Sequence, residues 1–148
     1  MGEVTLDNII ITKLTELEIS GGNVLHAIKA TDEGYVSFGE AYFSFIEAGS
    51  IKAWKRHSRM FMNLVVPVGM VRFVFHLESK HTAGDFRVLE IGRNNYVRIT
   101  VPPGIWFGFQ GLENSHNLIL NVSNILHDPN EVERKSIDEI KFEWNSIT

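Results

Sequence analysis

The fold of this chain is decided by residues Asn63–Leu77, which read NLVVPVGMVRFVFHL. Side chains with high strand propensity, mostly β-branched or aromatic, lie on both sides of Gly69. After that glycine, Val71, Phe73 and Phe75 alternate with the residues between them, which is the two-residue period of a half-buried strand. The stretch therefore predicts two β-strands, each with an inner and an outer face.

Similar segments continue in both directions, separated at short intervals by glycine and proline. With the two segments above they make about eight predicted strands. The further segments are Asn8–Thr12, Tyr35–Ile46, Ser50–Trp54, Phe86–Ile91, Tyr96–Val101 and Asn117–Val122.

Helical signals are confined to the tail of the chain. Asp128–Glu131 predicts a turn, and Val132–Ile140 predicts a short helix. Many short strands with almost no helix predict an all-β fold, which is a sandwich, a jelly roll or a barrel.

The composition is that of an ordinary globular protein. The chain has 148 residues, of which 44% are hydrophobic and 22% charged, so residues 1–148 are expected to form a single domain. No apolar run reaches the ~20 residues that span a bilayer, and the first residues lack the pattern of a signal peptide. We therefore expect a cytoplasmic protein with no membrane partner.

Charge and cysteine content narrow the possible functions. The net charge of −4 argues against binding of nucleic acid, which relies on an excess of basic residues. The chain has no cysteine, and this excludes disulfides, thiolate nucleophiles and Cys-ligated zinc. A local basic cluster at Lys52–Arg59 is nevertheless sufficient for one small anionic ligand.

The glycine spacing of the first cupin motif is present, but most of its metal ligands are not. That motif reads Gly, five residues, His-x-His, four residues, Glu, six residues, Gly. Gly49 and Gly69 frame a segment of matching length, which places Lys55 and His57 at the histidine positions and Met62 at the glutamate.

The second cupin motif has a Pro-x-Gly followed by a histidine three positions later. Pro102–Gly104 matches the turn, and Phe107 occupies the ligand position. Three of the four ligands are thus replaced, whereas a transition metal usually needs at least three protein ligands. The sequence predicts no metal at this site.

Five segments together resemble the dTDP-4-dehydrorhamnose 3,5-epimerase family. The resemblance covers roughly Gly34 to Glu133 and includes the Val-Pro-Pro-Gly turn. The segments are Gly39–Phe45, Gly49–His57, Asn63–Phe75, Val101–Phe109, and Asn121–Ser123 with the following Asp128–Glu131.

The resemblance implies a cupin-like antiparallel jelly-roll barrel that ends in a short helix or turn and is usually a homodimer. It implies an isomerase in deoxysugar and polysaccharide biosynthesis, acting on a dTDP-linked 4-keto-6-deoxyhexose without metal or organic cofactor. The reaction is proton abstraction next to a ketone, for which a base and groups that stabilise the enolate oxygen are needed.

The family motifs also imply roles for single residues. The family's Arg-Gly-Leu-His segment falls on Lys52–Lys55, so Lys55 stands at the position of its histidine, and Leu120 stands at that of its tyrosine. Related 3,4-ketoisomerases have a His-x-His pair whose second member matches His57, which makes His57 the candidate base. Strand alternation predicts that Ile51, Ala53, Lys55 and His57 face the barrel interior.

Further residues are predicted to contact the substrate. Lys52, Lys55 and Arg59 are assigned to its negative charge, and each of them is equally consistent with a charged strand edge. Asn63 and Asn121 are assigned to sugar hydroxyls or, alternatively, to structural hydrogen bonds, and Trp106 to stacking or to packing.

The remaining aromatic side chains receive structural interpretations. Trp54 is predicted to pack in the core, and five histidines to lie in loops or on outer positions. These histidines are His26, His76, His81, His116 and His127.

Two alternatives to an epimerase stay open at this point. One is a 3,4-ketoisomerase, and the other is a cupin that binds a sugar nucleotide or another small anion without turning it over. Hydrogen exchange between the sugar carbons and D2O separates an enzyme from a binding protein.

Overall fold

The computed structural model describes residues 3–78 and 84–145, and that part of the chain forms twelve strands and two short 3-10 helices. The helices are Leu6–Asn8 and Ile137–Glu139. The strands are β1 (Ile10–Lys13), β2 (Glu16–Leu17), β3 (Val24–Leu25), β4 (Glu40–Phe45), β5 (Ile51–His57), β6 (Met62–Val68), β7 (Met70–Leu77), β8 (Asp85–Gly92), β9 (Val97–Val101), β10 (Trp106–Gly111), β11 (Leu118–Ser123) and β12 (Val132–Arg134).

Ten strands form two five-stranded antiparallel sheets. The first sheet has the order β1-β9-β6-β11-β4, and the second has the order β12-β5-β10-β7-β8, while β2 and β3 form a separate hairpin. Apolar side chains from both sheets meet in one core, for example Leu64 and Ile99 with Phe73 and Phe75. This is the cupin-like antiparallel jelly roll that the sequence predicted.

All eight predicted strands are present with shifted ends, but the sequence missed the hairpin strands β2 and β3, the edge strand β12 and the strand Trp106–Gly111. Two glycines lower its apparent strand propensity. Gly108 is required by close packing, since a Cβ there would lie 2.6 Å from the Cβ of Ala53 on the neighbouring strand. The glycine that weakens the sequence signal is therefore the residue that lets β10 approach β5.

The predicted helix at Val132–Ile140 is wrong in its first part. Val132–Arg134 pairs with β5 as a short edge strand, and only Ile137–Glu139 is helical. Pairing with an exposed strand edge outweighs the weak local helix preference of such a short segment.

A second apolar cluster covers the outer face of the second sheet. It contains Trp54, Val74, Trp106, Ile140 and Trp144, all at most 5% exposed. The chain that follows β12 lies over this face, and Trp54 packs against Trp144 with ring centroids 5.5 Å apart. Trp54 is thus a packing residue, as predicted.

Within residues 3–78 and 84–145, no helix is long and apolar enough to cross a membrane. The cytoplasmic location stays a prediction.

Candidate active site between the two sheets

A cavity of about 160 Å³ lies between the two sheets. The first sheet lines it with neutral side chains, and the second sheet supplies the imidazole of His57 and the three cations Lys52, Lys55 and Arg134. The first sheet contributes Tyr42, Ser44, Met62, Leu64, Ile119 and Asn121; the second contributes Lys52, Lys55, His57, Phe73, Phe107, Phe109, Val132 and Arg134; Met60 and His127 complete the lining.

The last residue of β5, His57, is held in the cavity wall by a buried carboxylate. Its Nδ1 contacts Oε1 of Glu131, and the two residues are 8% and 3% exposed. The ring also stacks on Phe107, with centroids 5.9 Å apart. Because the Glu131 carboxylate accepts a hydrogen bond from Nδ1–H of His57, Nε2 is left as the basic nitrogen for a ligand. This is the arrangement of a positioned general base.

Glu131 is itself held by the backbone that follows β5. Its Oε2 accepts hydrogen bonds from the backbone N–H groups of Ser58, Arg59 and Met60 at 3.0 to 3.1 Å. Burial favours the neutral carboxyl, but the N–H of Arg59 and the contact with His57 outweigh burial and hold the pKa of Glu131 below its ordinary 4.5. His57 and Glu131 therefore form a dyad in which Glu131 is a carboxylate at neutral pH.

The lowered pKa of Glu131 predicts how stability depends on pH. A native pKa below the unfolded one adds stability above pH 4.5, and this contribution is lost as the pH falls through the native value. We expect Glu131→Gln to have a lower Tm than the wild type at about pH 7, and the gap to narrow below pH 4.5. Thermal unfolding at both pH values measures this gap, and a gap that stays constant or widens would contradict the expectation.

A bulge in β5 decides which side chains reach the cavity. Lys55 pairs with Phe107, but the next residue of β10 pairs with Ala53, so one residue of β5 has no partner there. Lys52, Lys55 and His57 consequently share the inner face. The prediction for Ile51 and Ala53 is wrong, because they pack against the outer cluster of Trp54 and Trp106.

Three cations gather on the second-sheet side of the cavity: Lys52, Lys55 and Arg134. Burial lowers the pKa of the Lys55 amine, and the charges of Arg134 and Lys52 lower it further. Such a group of like charges is suited to an anionic ligand, whose charge would offset their mutual repulsion.

Three polar side chains face the cavity from the first sheet: Tyr42, Ser44 and Asn121. Asn121 on β11 is 4% exposed, and its Nδ2 donates a hydrogen bond of 3.0 Å to the hydroxyl of Tyr42 on β4. The hydroxyl proton of Tyr42 therefore points away from Asn121 and is available to a ligand. Leu120 lies between two lining residues and does not line the cavity, so Tyr42 supplies the phenol on this side.

Two predicted substrate residues have other partners. Arg59 is exposed and forms an ion pair with Asp128 at 2.9 Å, and Asn63 is buried away from the cavity. The amide of Asn63 donates to the carbonyl of Gly34 and accepts from Arg98 at 3.0 Å. The structure does not bring either side chain into the cavity lining.

Trp106 lies on the outer face of β10, one position from the lining residue Phe107. It is 3% exposed, and the cations of Arg56 and Lys135 lie 4.7 and 4.9 Å from its ring centroid. Strand alternation points successive side chains to opposite faces, so its assignment to substrate stacking is wrong for this cavity.

Two of the histidines predicted to lie in loops or on outer positions are placed there but have contacts that the sequence did not indicate: His127 lies in the loop after β11 and His76 on the outer face of β7. His127 lines the cavity, and His76 is 3% exposed, with Nδ1 3.1 Å from the carbonyl of Asp85. His81 lies outside the described residues. In the described part of the chain, no three His, Asp or Glu side chains converge as a metal site would require. The absence of a metal stays a prediction.

Sequence reasoning missed several polar residues of the site, among them Tyr42, Glu131 and Arg134. Tyr42 lies within a segment that resembles the family. It stands two residues before Ser44, so both side chains face the same side of the strand. This spacing is a signal that could have been used. Glu131 was assigned to a turn, and Arg134 to a helix. The contact of Glu131 with His57 joins residues 74 positions apart, and no local sequence pattern indicates a contact between such distant residues.

Comparison with known proteins places the chain among enzymes of sugar metabolism. No model of a known protein family matches it. The crystal structure of a dTDP sugar isomerase from Desulfovibrio desulfuricans G20 is 31% identical, with a TM-score of 0.89 over 96% of this chain and 94% of that one. A dTDP-4-dehydrorhamnose 3,5-epimerase from Sulfolobus tokodaii, 20% identical with a TM-score of 0.79 over 97% and 85% of the two chains, shows the same fold.

Two curated proteins are similar over almost their whole length. The probable low-salt glycan biosynthesis epimerase Agl13 of Haloferax volcanii is 24% identical over 152 residues, and the spore coat polysaccharide biosynthesis protein SpsL of Bacillus subtilis is 23% identical over 147 residues. Each alignment covers 95% of this chain and 97% of the relative.

Proposed function

We propose a reaction from the premise that this chain belongs to the dTDP-sugar isomerases, the family that includes the dTDP-4-dehydrorhamnose 3,5-epimerases. It is an isomerase of sugar biosynthesis, and its substrate is a dTDP-linked 4-keto-6-deoxyhexose. The reaction is epimerisation at a carbon next to the ketone. One observation carries this choice: His57 and Tyr42 reach the same cavity from opposite sheets.

Inversion at a carbon needs a base on one side and an acid on the other. Nε2 of His57 removes the proton from the carbon next to the ketone, and the C–H electron pair forms an enolate. The hydroxyl of Tyr42 then donates its proton to the opposite side of that carbon, and the ketone is restored. The Tyr42 phenolate regains a proton from water, while the His57 imidazolium returns one to water, so the cycle is balanced.

Charge develops on the ketone oxygen during this step, and Lys55 is placed to stabilise it. Its lowered pKa eases transfer of a proton toward the enolate oxygen. Lys52 and Arg134, on the same side of the cavity, are assigned to the diphosphate. Glu131 keeps His57 in the tautomer that has a free Nε2.

Proton NMR of dTDP-4-keto-6-deoxyglucose with the protein in D2O tests the proposal. Loss of the sugar C3 or C5 signals, with formation of an epimer, is expected. Movement of the ketone to C3 would instead identify a 3,4-ketoisomerase. No exchange at either carbon over hours would leave a binding protein and would overturn the proposal for this substrate.

A homodimer is the second part of the proposal, and the edge strand β4 supports it. Its outer face presents Phe43 and Phe45, which are 63% and 67% exposed, and Phe38 and Leu126 are exposed to a similar extent. Exposed aromatic residues on an unpaired edge are typical of an interface.

Substitution of Phe43 tests the interface directly. We expect Phe43→Glu to convert a dimer into a monomer, because it places a charge in the apolar contact. Light scattering after size exclusion measures the mass. Ile19→Lys, at a residue 50% exposed in the loop between β2 and β3, is the control and should stay dimeric. A wild type that is monomeric, or a Phe43→Glu variant that remains dimeric, would contradict the interface.

A further inference from the structure

Asn121 has a feature that the proposed mechanism does not use. Its Nδ2 donates to Tyr42, but its Oδ1 is buried and has no hydrogen-bond partner among the described residues. Asn121 lies on the inner face of β11 beside Ile119, in the lining of the cavity. A buried acceptor to which no protein group donates is unfavourable unless a group in the cavity supplies the hydrogen bond.

The other buried side-chain amides of the described chain have partners for their oxygens. Asn117 accepts hydrogen bonds from the backbone N–H groups of Met70 and Glu113 at 3.0 and 3.1 Å. The oxygen of Asn63 accepts from Arg98, and that of Gln110 accepts from Arg72. None of these three amides lines the cavity. Among the buried amides of the described residues, the unpaired oxygen therefore belongs to the one that lines this cavity.

The position of Asn121 indicates which part of a ligand it meets. The lining residues of the first sheet are neutral, while Lys52, Lys55 and Arg134 lie on the second sheet. An anionic part of a ligand is attracted to the second sheet, so the neutral part faces Asn121 and Tyr42. In a nucleotide sugar the neutral part rich in hydrogen-bond donors is the hexose.

We propose that Asn121 determines which sugars the cavity accepts, because its Oδ1 accepts a hydrogen bond from a hydroxyl group of the hexose. The inference rests on the proposed function and adds a specificity-determining residue to it. A hexose with this hydroxyl supplies the missing donor. A deoxy analogue leaves the acceptor buried and unpaired, and such a loss discriminates more strongly than the loss of an apolar contact.

Binding of deoxy analogues tests the proposal. The Kd values of the dTDP-linked 4-keto-6-deoxyhexose and of its 2-deoxy and 3-deoxy analogues are measured by calorimetry on the full chain. We expect the wild type to bind one analogue at least about tenfold more weakly than the parent. Asn121→Leu should bind parent and analogue within about twofold of each other, while Asn121→Asp, which keeps an acceptor, should retain the discrimination.

Thermal unfolding separates this role from a structural one. Asn121→Leu removes an unpaired oxygen and one hydrogen bond to the partly exposed hydroxyl of Tyr42, so its Tm should stay close to that of the wild type. The matched control is Asn117→Leu, which removes an amide whose oxygen and nitrogen are both paired and should lower Tm by several degrees. An equal loss of Tm in both variants would overturn the proposal.

Two further results would also overturn it. One is a wild type that binds both analogues as tightly as the parent. The other is a weaker Kd of Asn121→Leu for dTDP alone, because the donor would then be on the nucleotide. Equilibrium binding does not require turnover, so an absence of hydrogen exchange in D2O would overturn the proposed reaction and leave this test intact.

Discussion

Replacing His57 by glutamine is expected to slow exchange of the sugar C–H hydrogens with D2O by about 10³-fold, within the usual range for removal of a general base. Glutamine keeps a polar group near Glu131 but has no basic nitrogen at the cavity. The exchange rate is followed by proton NMR at saturating substrate. A His57→Gln variant that exchanges within tenfold of the wild type would exclude His57 as the base.

The control for this variant is His26→Gln. The His26 side chain does not line the cavity, and its substitution should leave exchange unchanged. Glu131→Gln should slow exchange by about 10- to 100-fold, since a neutral amide stabilises the imidazolium less than a carboxylate does. The double variant should be no slower than His57→Gln alone, because two residues that act as one unit are not additive. Additive losses would contradict a dyad.

Replacing Tyr42 by phenylalanine is expected to separate exchange from inversion. Without the hydroxyl, the His57 base still forms the enolate and returns a solvent deuteron from its own side. We expect epimer formation to fall by about 10²-fold, while deuterium enters the unreacted substrate at a rate within a few-fold of the wild type. NMR in D2O gives both rates from one sample.

Tyr35→Phe is the matched control, because Tyr35 is half-buried and does not line the cavity. It should leave both rates unchanged. If Tyr42→Phe lowered exchange and inversion equally, Tyr42 would serve binding or the first proton transfer rather than protonation of the opposite side. If neither rate changed, the acid would be a different group.

The strand pattern was predictable because it is a local property. Alternation over Met70–Leu77 and Val97–Val101 follows from the two-residue period of a strand with one buried face, and glycine and proline limit each segment. The resemblance to a family extended this to the jelly roll. The basic cluster at Lys52–Arg59 and the candidate base His57 were likewise visible within eight consecutive residues.

Local reasoning failed where a contact between distant strands decides the orientation. The bulge in β5 is set by its pairing with β10. It interrupts the alternation of side chains, so that Ala53 faces outward whereas Lys55 faces the cavity. Trp106 and Asn63 have the residue types of binding sites, but packing and hydrogen bonding with distant segments occupy them.

The sequence by itself determined an all-β chain, a family resemblance, a basic segment and a histidine that could act as a base. These depend on residue types and short spacings, which the chain carries whether or not it is folded. Only the tertiary structure paired His57 with Glu131, set Tyr42 on the opposite sheet and left Oδ1 of Asn121 without a partner. Each of these features joins residues separated by 74 or 79 positions or depends on burial, and burial exists only after the two sheets have closed on each other.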